Sequence, residues 1–380
     1  MKHILPFIIC ILCSFANANA QELARVESKK FNSPDFPFER EILIYTPQNY
    51  DEMTQSELDV VYVFDSQWRS HFALVHSLLD EIQNEDCDKL PFIVVGITSP
   101  NNLAPDYQRS NDFTPVPETF TPQTPFYGNS GNFKKFLKET VIPYINRNYR
   151  SSGHTLAIGH SLSASFILDA LASDNMFDDY IAISPNLEYD SCRFAKSLIN
   201  HDFNNGKPGS FFLSMANESA ETGWGDNWRK AWDSTKEKLE NTEFQDNVRM
   251  IIKEYPEYSH MRSYAAVLTD ALPIYAMYRQ SERICDSRTY PVHIELTGAS
   301  IEGDVYVTGN QDALANWNPK GVKMTRINDT SYSIDLNLKL PAEYKFTQGS
   351  WENQIWISNS YPMNQRIHTP ANATKKYNAD

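Results

Sequence analysis

Gly159-His160-Ser161-Leu162-Ser163 lies directly between an apolar run, Thr155 to Ile158, and a helix-like stretch, Ala164 to Ala172. That order places Ser161 on a strand-to-helix turn, the setting of a nucleophile elbow, where the hydroxyl stands clear of the sheet edge. Small residues are needed because the two backbones pass close together. Gly159 meets that need, and Ser163 with Ala164 stands where a glycine is usual. A serine hydroxyl is a weak nucleophile until a base takes its proton, commonly a histidine held in one tautomer by a carboxylate. In the chain order serine, acid, histidine, the base is His260, which follows the last apolar run and precedes a long helical pattern. His201, in a polar stretch, and His293, alternating with apolar residues, read as structural. The acid is Glu218, just past the run ending at Ser214, with Asp226 and Glu257 as rivals. A developing oxyanion needs two main-chain N–H donors. Leu162 supplies one, and the turn Asp65-Ser66-Gln67 supplies the other through Ser66 or Gln67, without preference between them. The chemistry implied is acyl transfer to serine, and no motif implies a metal or cofactor.

These residues must be carried by a sheet. Ile42–Tyr45, Val60–Phe64, Phe92–Ile97, Thr155–Ile158, Tyr180–Ser184, Phe211–Ser214 and Met250–Ile252 read as strands, mostly continuous apolar runs of the kind covered on both faces. Helical patterns alternate with them at Phe72–Ile82, Phe133–Asn146, Ser165–Leu171, Trp228–Leu239 and Tyr264–Tyr278. This predicts an α/β fold with a mostly parallel sheet and helices on both faces. Trp224, Trp228 and Trp232 recur at helical spacing, which reads as a packed face. The Pro-, Tyr- and Phe-rich stretch Asp106–Asn132 has no regular period and would frame the pocket mouth. After Cys285 the runs Val292–Leu296, Val305–Val307, Tyr332–Leu336 and Glu343–Phe346 alternate apolar and polar residues, predicting a small all-β sandwich. The tail from Thr369 to Asp380 is polar and reads as loose.

At 380 residues the chain exceeds the roughly 100 to 200 residues of one domain. Three parts are expected: a signal peptide over 1–20, an α/β catalytic domain over 21–288 and a β sandwich over 289–380. The signal reading rests on Lys2 and His3, the apolar stretch Ile4–Phe15 and the small-x-small site Ala18-Asn19-Ala20. Its apolar core falls short of the ~20 residues that span a bilayer, so the mature protein is expected to be secreted or periplasmic, with no membrane span. Of the five cysteines, Cys87, Cys192 and Cys285 would remain after cleavage, allowing one disulfide at most. A formal charge of −14 without a basic patch argues against nucleic acid or anionic lipid as a partner.

Several segments together resemble the esterase family of α/β hydrolases, which includes trilactone siderophore esterases, feruloyl esterases and S-formylglutathione hydrolases. They are Val63-Phe64-Asp65, Arg109 to Pro115, Phe136-Leu137 to Ile145 with Tyr149-Arg150, the elbow, and Ile183-Ser184-Pro185-Asn186. The resemblance spans about Glu39 to Met277. It implies carboxylester hydrolysis through an acyl-enzyme, and a pairing of Arg109 with Asp112 near the pocket.

Gly303 to Asn310, Leu314 to Pro319 and Glu343 to Glu352 resemble starch-binding modules. The resemblance implies that Trp317 and Trp351 stack on sugar rings while Lys345 bonds their hydroxyls. Ala315, where glycine is usual, and a short loop from Lys345 to Trp351 depart from that pattern. The alternative is a sandwich used only for packing, with Trp317 in its core. The function expected is a serine carboxylesterase acting on a small-molecule or carbohydrate ester, with polysaccharide as a second partner. The rival is a non-catalytic carbohydrate-binding protein with a decayed hydrolase domain, against which the joint presence of Ser161 and His260 speaks.

Overall fold

Arg25–Phe31 (β1), Arg40–Thr46 (β2), Leu58–Val63 (β3), Phe92–Ile97 (β4), Ser151–His160 (β5), Asp179–Ile183 (β6), Gly209–Ala216 (β7) and Val248–Tyr255 (β8) form one sheet. Its order is β1-β2-β4-β3-β5-β6-β7-β8. The two β1–β2 and β2–β4 contacts are antiparallel, and the rest of the sheet is parallel. The computed structural model describes residues 25–47, 50–51, 57–85, 91–100, 107–118, 128–205, 209–281, 289–298, 301–339, 342–358, 364–367 and 374–379. The signal-like segment, Cys87, Cys285, residues 286–288 and parts of the stretch from Asp106 to Asn132 lie outside the described residues. Cys192 is a half-buried free thiol.

Helices α1 (Arg69–Glu85), α2 (Arg109–Phe113), α3 (Ser130–Phe136), α4 (Ile142–Asn148), α5 (Leu162–Asp174), α6 (Tyr189–Ile199), α7 (Asp226–Glu240) and α8 (His260–Ser281) complete this part. Successive strand side chains point to opposite faces, so β3 feeds two cores. Val60 and Tyr62, with Phe64 just beyond the strand, pack with Phe133, Phe166 and Trp232. Val61 and Val63 pack with Phe72, Val75, Leu268 and Leu272. Helices therefore cover both faces, which is why the central strands are unbroken apolar runs. Strand β1 escapes the apolar-run reading because it is a mostly exposed edge, Arg-Val-Glu-Ser-Lys-Lys-Phe. Among the described residues no helix is long and apolar enough to cross a membrane.

The chain runs from β3 to β4 on one side and then crosses to β5 on the other, so β3 and β5 are neighbours at the point where the strand order reverses. Loops leaving the carboxyl ends of two such strands diverge and open a crevice. Those loops are the Asp65 turn and the Ser161 elbow.

Beside this crevice lies a fully buried ion pair. Arg40 donates to Asp112 at 2.5 Å with both side chains 1% exposed or less. Tyr107 adds a 2.5 Å hydrogen bond to the same carboxylate, and the guanidinium lies over the Phe36 and Phe133 rings. The expected Arg109–Asp112 pairing is thus corrected: Arg40 holds Asp112, and Arg109 is engaged elsewhere.

The C-terminal part contains β9 (Tyr290–Thr297), β10 (Tyr306–Gly309), β11 (Val322–Lys323), β12 (Thr325–Asn328), β13 (Ser331–Leu338), β14 (Ala342–Thr347), β15 (Gln354–Ile355), β16 (Gln365–Ile367) and β17 (Thr374–Asn378). They make a five-stranded and a four-stranded sheet around Val292, Ile294, Leu296, Val307, Tyr344 and Phe346. The described part of the tail, residues 374–379, is not loose: β17 pairs in parallel with β9. Lys375 and Tyr377 alternate inward on it, and Tyr377 bonds Tyr344 at 2.6 Å.

Asp112→Ala should lower unfolding free energy by about 3–5 kcal/mol, because it strands the Arg40 charge in the core. Urea denaturation measures it; a loss below about 1 kcal/mol would show that water reaches Arg40.

Candidate active site

Ser161 has φ 60° and ψ −123°, a strained conformation for any residue with a side chain. It is tenable because Gly159 lacks a Cβ: an added carbon would come within 2.6 Å of the Ser163 main chain. The bend is clamped from both sides. Ser161 N–H donates to the Ile183 carbonyl at 2.9 Å and Ser165 N–H donates to the Ser161 carbonyl at 3.1 Å. Ser163 Oγ accepts from His160 N–H and donates to the His160 carbonyl, each at 2.9 Å. The serine standing where glycine is usual thus closes the turn on itself.

His260 opens α8, and the structure brings it to Glu218: Nδ1 lies 2.5 Å from Oε1, with Glu218 fully buried and His260 8% exposed. A carboxylate only accepts, so Nδ1 carries the proton and Nε2 keeps its lone pair. The loop holding Glu218 is fastened to the His260 loop by Asn217 N–H donating to the Tyr258 carbonyl at 2.9 Å. Asp226, exposed at the start of α7, and Glu257, also exposed, make no such contact.

The elbow and the histidine are joined through His160. Its ring packs on His260 with centroids 4.7 Å apart, and its Nε2 donates to the His260 carbonyl at 2.9 Å. Burial, then the neighbouring His260, pushes the His160 pKa down to about 3. It stays neutral, and its Nε2–H tautomer is fixed by a partner that can only accept. No signal in the sequence separated this histidine from its position inside the motif.

Hydrogen-bond accounting separates the two candidates for a second oxyanion donor. Ser66 is excluded, correcting one of the two choices: its N–H donates to the Ile97 carbonyl at 3.0 Å and its hydroxyl to the Val63 carbonyl at 2.8 Å. Gln67 remains, its side chain donating to Asp65 at 2.7 Å and accepting from Ser99 N–H at 2.9 Å. Leu162 opens α5, where a first-turn N–H has no intrahelical acceptor. Asp65, itself at φ 58°, is buried beside these donors and would repel a developing oxyanion if left bare. Arg109 binds it in bidentate fashion, both contacts 2.8 Å. Burial raises the Asp65 pKa, but the bonds and charge of Arg109, and then the bond from Gln67, outweigh it and hold the carboxyl below its ordinary range.

Aromatic rings flank the histidine. Trp228 and Trp232 are buried on α7, as the spacing predicts for a packed face, but Trp224 precedes that helix. Its ring lies 4.5 Å from that of His260, and the Trp228 ring 5.9 Å. Sequence spacing hid this contact by assigning all three to one helix. Among the described residues no group of three or more His, Cys, Asp or Glu is arranged to hold a metal.

In the C-terminal part, Trp317 is half-buried and outside the sandwich core, Trp351 is 43% exposed, and Lys345 is half-buried on β14. Thr308 pairs with Lys345 across β10 and β14. The Thr347 hydroxyl donates to the Pro319 carbonyl, tying the loop of Trp317 to the hairpin that carries Trp351.

His160 sets a pH dependence whose sign follows from its depressed pKa. The unfolded chain takes up this proton below about pH 6.5, whereas the folded chain does so only near about 3. Its contribution to stability is therefore complete above the former value and falls as pH drops toward the latter. Urea midpoints measured from neutral pH down to pH 4 should decline less steeply in His160→Gln. Parallel curves for the two proteins would assign the decline to other groups.

No curated protein matches the chain by sequence. Similar solved structures include an IroE-like serine hydrolase from Shewanella oneidensis, at 24% identity and TM-score 0.55, covering 67% of this chain and 80% of that one. The BES protein from Bacillus cereus is 23% identical with TM-score 0.53, over 65% and 93% of the two chains. The siderophore hydrolase EstA from Aspergillus nidulans is 18% identical with TM-score 0.54, over 73% and 99%. These likenesses show a shared α/β-hydrolase fold. Residues 289–378 match the family described as "Starch binding domain". Residues 33–254, more than half of the chain, match the family described as "Putative esterase", and the protein belongs to that esterase family.

Proposed function

We propose that the protein is a secreted or periplasmic serine carboxylesterase working through an acyl-enzyme. The observation that carries this reading is the buried Glu218–His260 contact at 2.5 Å, in a loop tied by His160 to the strained turn bearing Ser161. Ser161 Oγ attacks the ester carbonyl as His260 Nε2 takes its proton, and Glu218 stabilises the imidazolium that forms. The N–H groups of Leu162 and Gln67 receive the oxyanion. His260 then hands the proton to the departing alcohol, and water releases the acid by the same steps in reverse. Siderophore trilactones, hydroxycinnamoyl or acetyl esters on polysaccharide, and short acyl esters all fit this chemistry. A signal peptide over 1–20, a catalytic domain over 21–288 and a sugar-binding sandwich over 289–380 complete the reading. In the sandwich Trp317, Lys345 and Trp351 would contact glycan.

Ser161→Ala and His260→Ala should each reduce hydrolysis of a p-nitrophenyl ester series by several orders of magnitude, and the double variant should be little worse than either. Glu218→Gln should lower kcat on the order of 10⁴-fold, and Asp226→Asn far less. Full activity in Ser161→Ala would sink the assignment; the reverse order of the two acids would move the role to Asp226.

Stacking on the sandwich is tested by affinity electrophoresis of the full chain in gels with amylose, with xylan or without glycan. Trp317→Ala and Trp351→Ala should each weaken retardation by roughly 5- to 150-fold in affinity, the equivalent of about 1–3 kcal/mol per stacked ring. Free migration of the unmodified chain in both glycans removes the binding role.

A further inference from the structure

The loop between β7 and α7 does two things to one imidazole. Glu218, at its start, holds Nδ1 of His260, and Trp224, near its end, lays an indole against the ring at 4.5 Å. The loop is set by its own bonds: Trp224 N–H donates to the Ser219 carbonyl at 3.0 Å, and the Thr222 hydroxyl donates to the Asn217 carbonyl at 3.0 Å. Trp224 differs from its neighbours in exposure. Trp228 and Trp232 are 8% and 0% exposed, whereas Trp224 is half-buried, its ring packed on Trp228 at 4.6 Å as well as on His260. The Trp228 indole N–H beside it is buried with no acceptor among the described residues.

With Nδ1 committed to Glu218, only Nε2 can return the proton to the leaving oxygen. The leaving oxygen must then come to the Nε2 edge of the imidazole, the ring against which Trp224 packs at 4.5 Å. An indole face there is a platform for the alcohol half of the ester. Alkyl and aryl alcohols would also rest on it, but the same chain carries a starch-binding-type sandwich over 289–378, with Trp317 and Trp351 outside its core. A sugar ring presents an apolar C–H face to an aromatic plane and hydroxyls at its rim.

We infer that the alcohol half of the substrate is a glucosyl residue, so that the enzyme removes acyl groups from an acylated α-glucan with Trp224 as the stacking residue for the sugar. The inference rests on the esterase reading above. In the first step the bond from Ser161 Oγ to the acyl carbon forms and the bond from that carbon to the sugar oxygen breaks. The serine proton passes through His260 to the sugar oxygen. Water then splits the acyl-serine, giving the free acid and restoring Ser161, with no oxidant or co-reactant.

The test measures acetate release by the full chain from partially acetylated maltoheptaose and from ethyl acetate, whose alcohol is too small to span a platform. The ratio of kcat/KM for the sugar ester to that for ethyl acetate should fall roughly 5- to 150-fold in Trp224→Ala and be largely restored in Trp224→Phe. Equal losses on both substrates would show that the ring only positions His260, overturning the inference. So would an unmodified enzyme that cleaves ethyl acetate and p-nitrophenyl esters but not acetylated maltoheptaose, a comparison independent of how any variant folds. If the unmodified chain cleaves no ester at all, the esterase reading itself falls.

Discussion

The rest of the active-site end depends on one backbone conformation, the positive φ of Ser161. Left alone, such a turn relaxes. It is kept by the close approach that Gly159 permits, by main-chain bonds to the neighbouring strand β6 and along α5, and by the two-way bond between Ser163 and His160. Those bonds connect outward. His160 reaches the His260 loop, and Ser163 borders Asp65, whose side chain engages Arg109 and Gln67. The Ser161 turn, the His260 loop and the Asp65 loop are therefore parts of one polar network.

The buried carboxylates around this end are matched to partners of different kinds. Asp112 has Arg40 and Asp65 has Arg109, while at the opposite end of the sheet Asp59 has Arg279. Each guanidinium is charged at any working pH, so these pairs are electrostatically complete and serve position. Glu218 is given an imidazole instead, and its second oxygen has no partner among the described residues. A buried carboxylate facing a neutral ring favours the arrival of positive charge there. That is the condition a general base needs during proton transfer. The distinction is one of charge state rather than distance, since all four contacts are short.

Much of this was legible in the sequence. The apolar runs located the seven sheet strands that follow β1, because a strand covered on both faces is built mostly of apolar residues. The elbow was legible because its steric demand is local: a glycine two residues before the serine, between a strand and a helix. Chain order was enough to single out His260 and to favour Glu218. The charged edge strand β1 was missed because an exposed edge needs no apolar run. Strand β17 was missed because its inward residues, Lys375 and Tyr377, are not an apolar signature.

The fold class was thus legible in local pattern, and chain order brought Ser161, His260 and Glu218 forward as the candidate serine, base and acid. Tertiary structure alone decided what depends on approach between distant segments. It placed Glu218 against His260 and left Asp226 exposed, and it consumed the Ser66 N–H in a bond to Ile97. It gave Asp112 to Arg40, 72 residues away, rather than to Arg109 on the same short helix. It also turned Trp224 from one of three evenly spaced tryptophans into a ring that packs on His260. The physical reason is common to all four: hydrogen bonds and burial are set by where strands end in space, and sequence spacing carries no record of that.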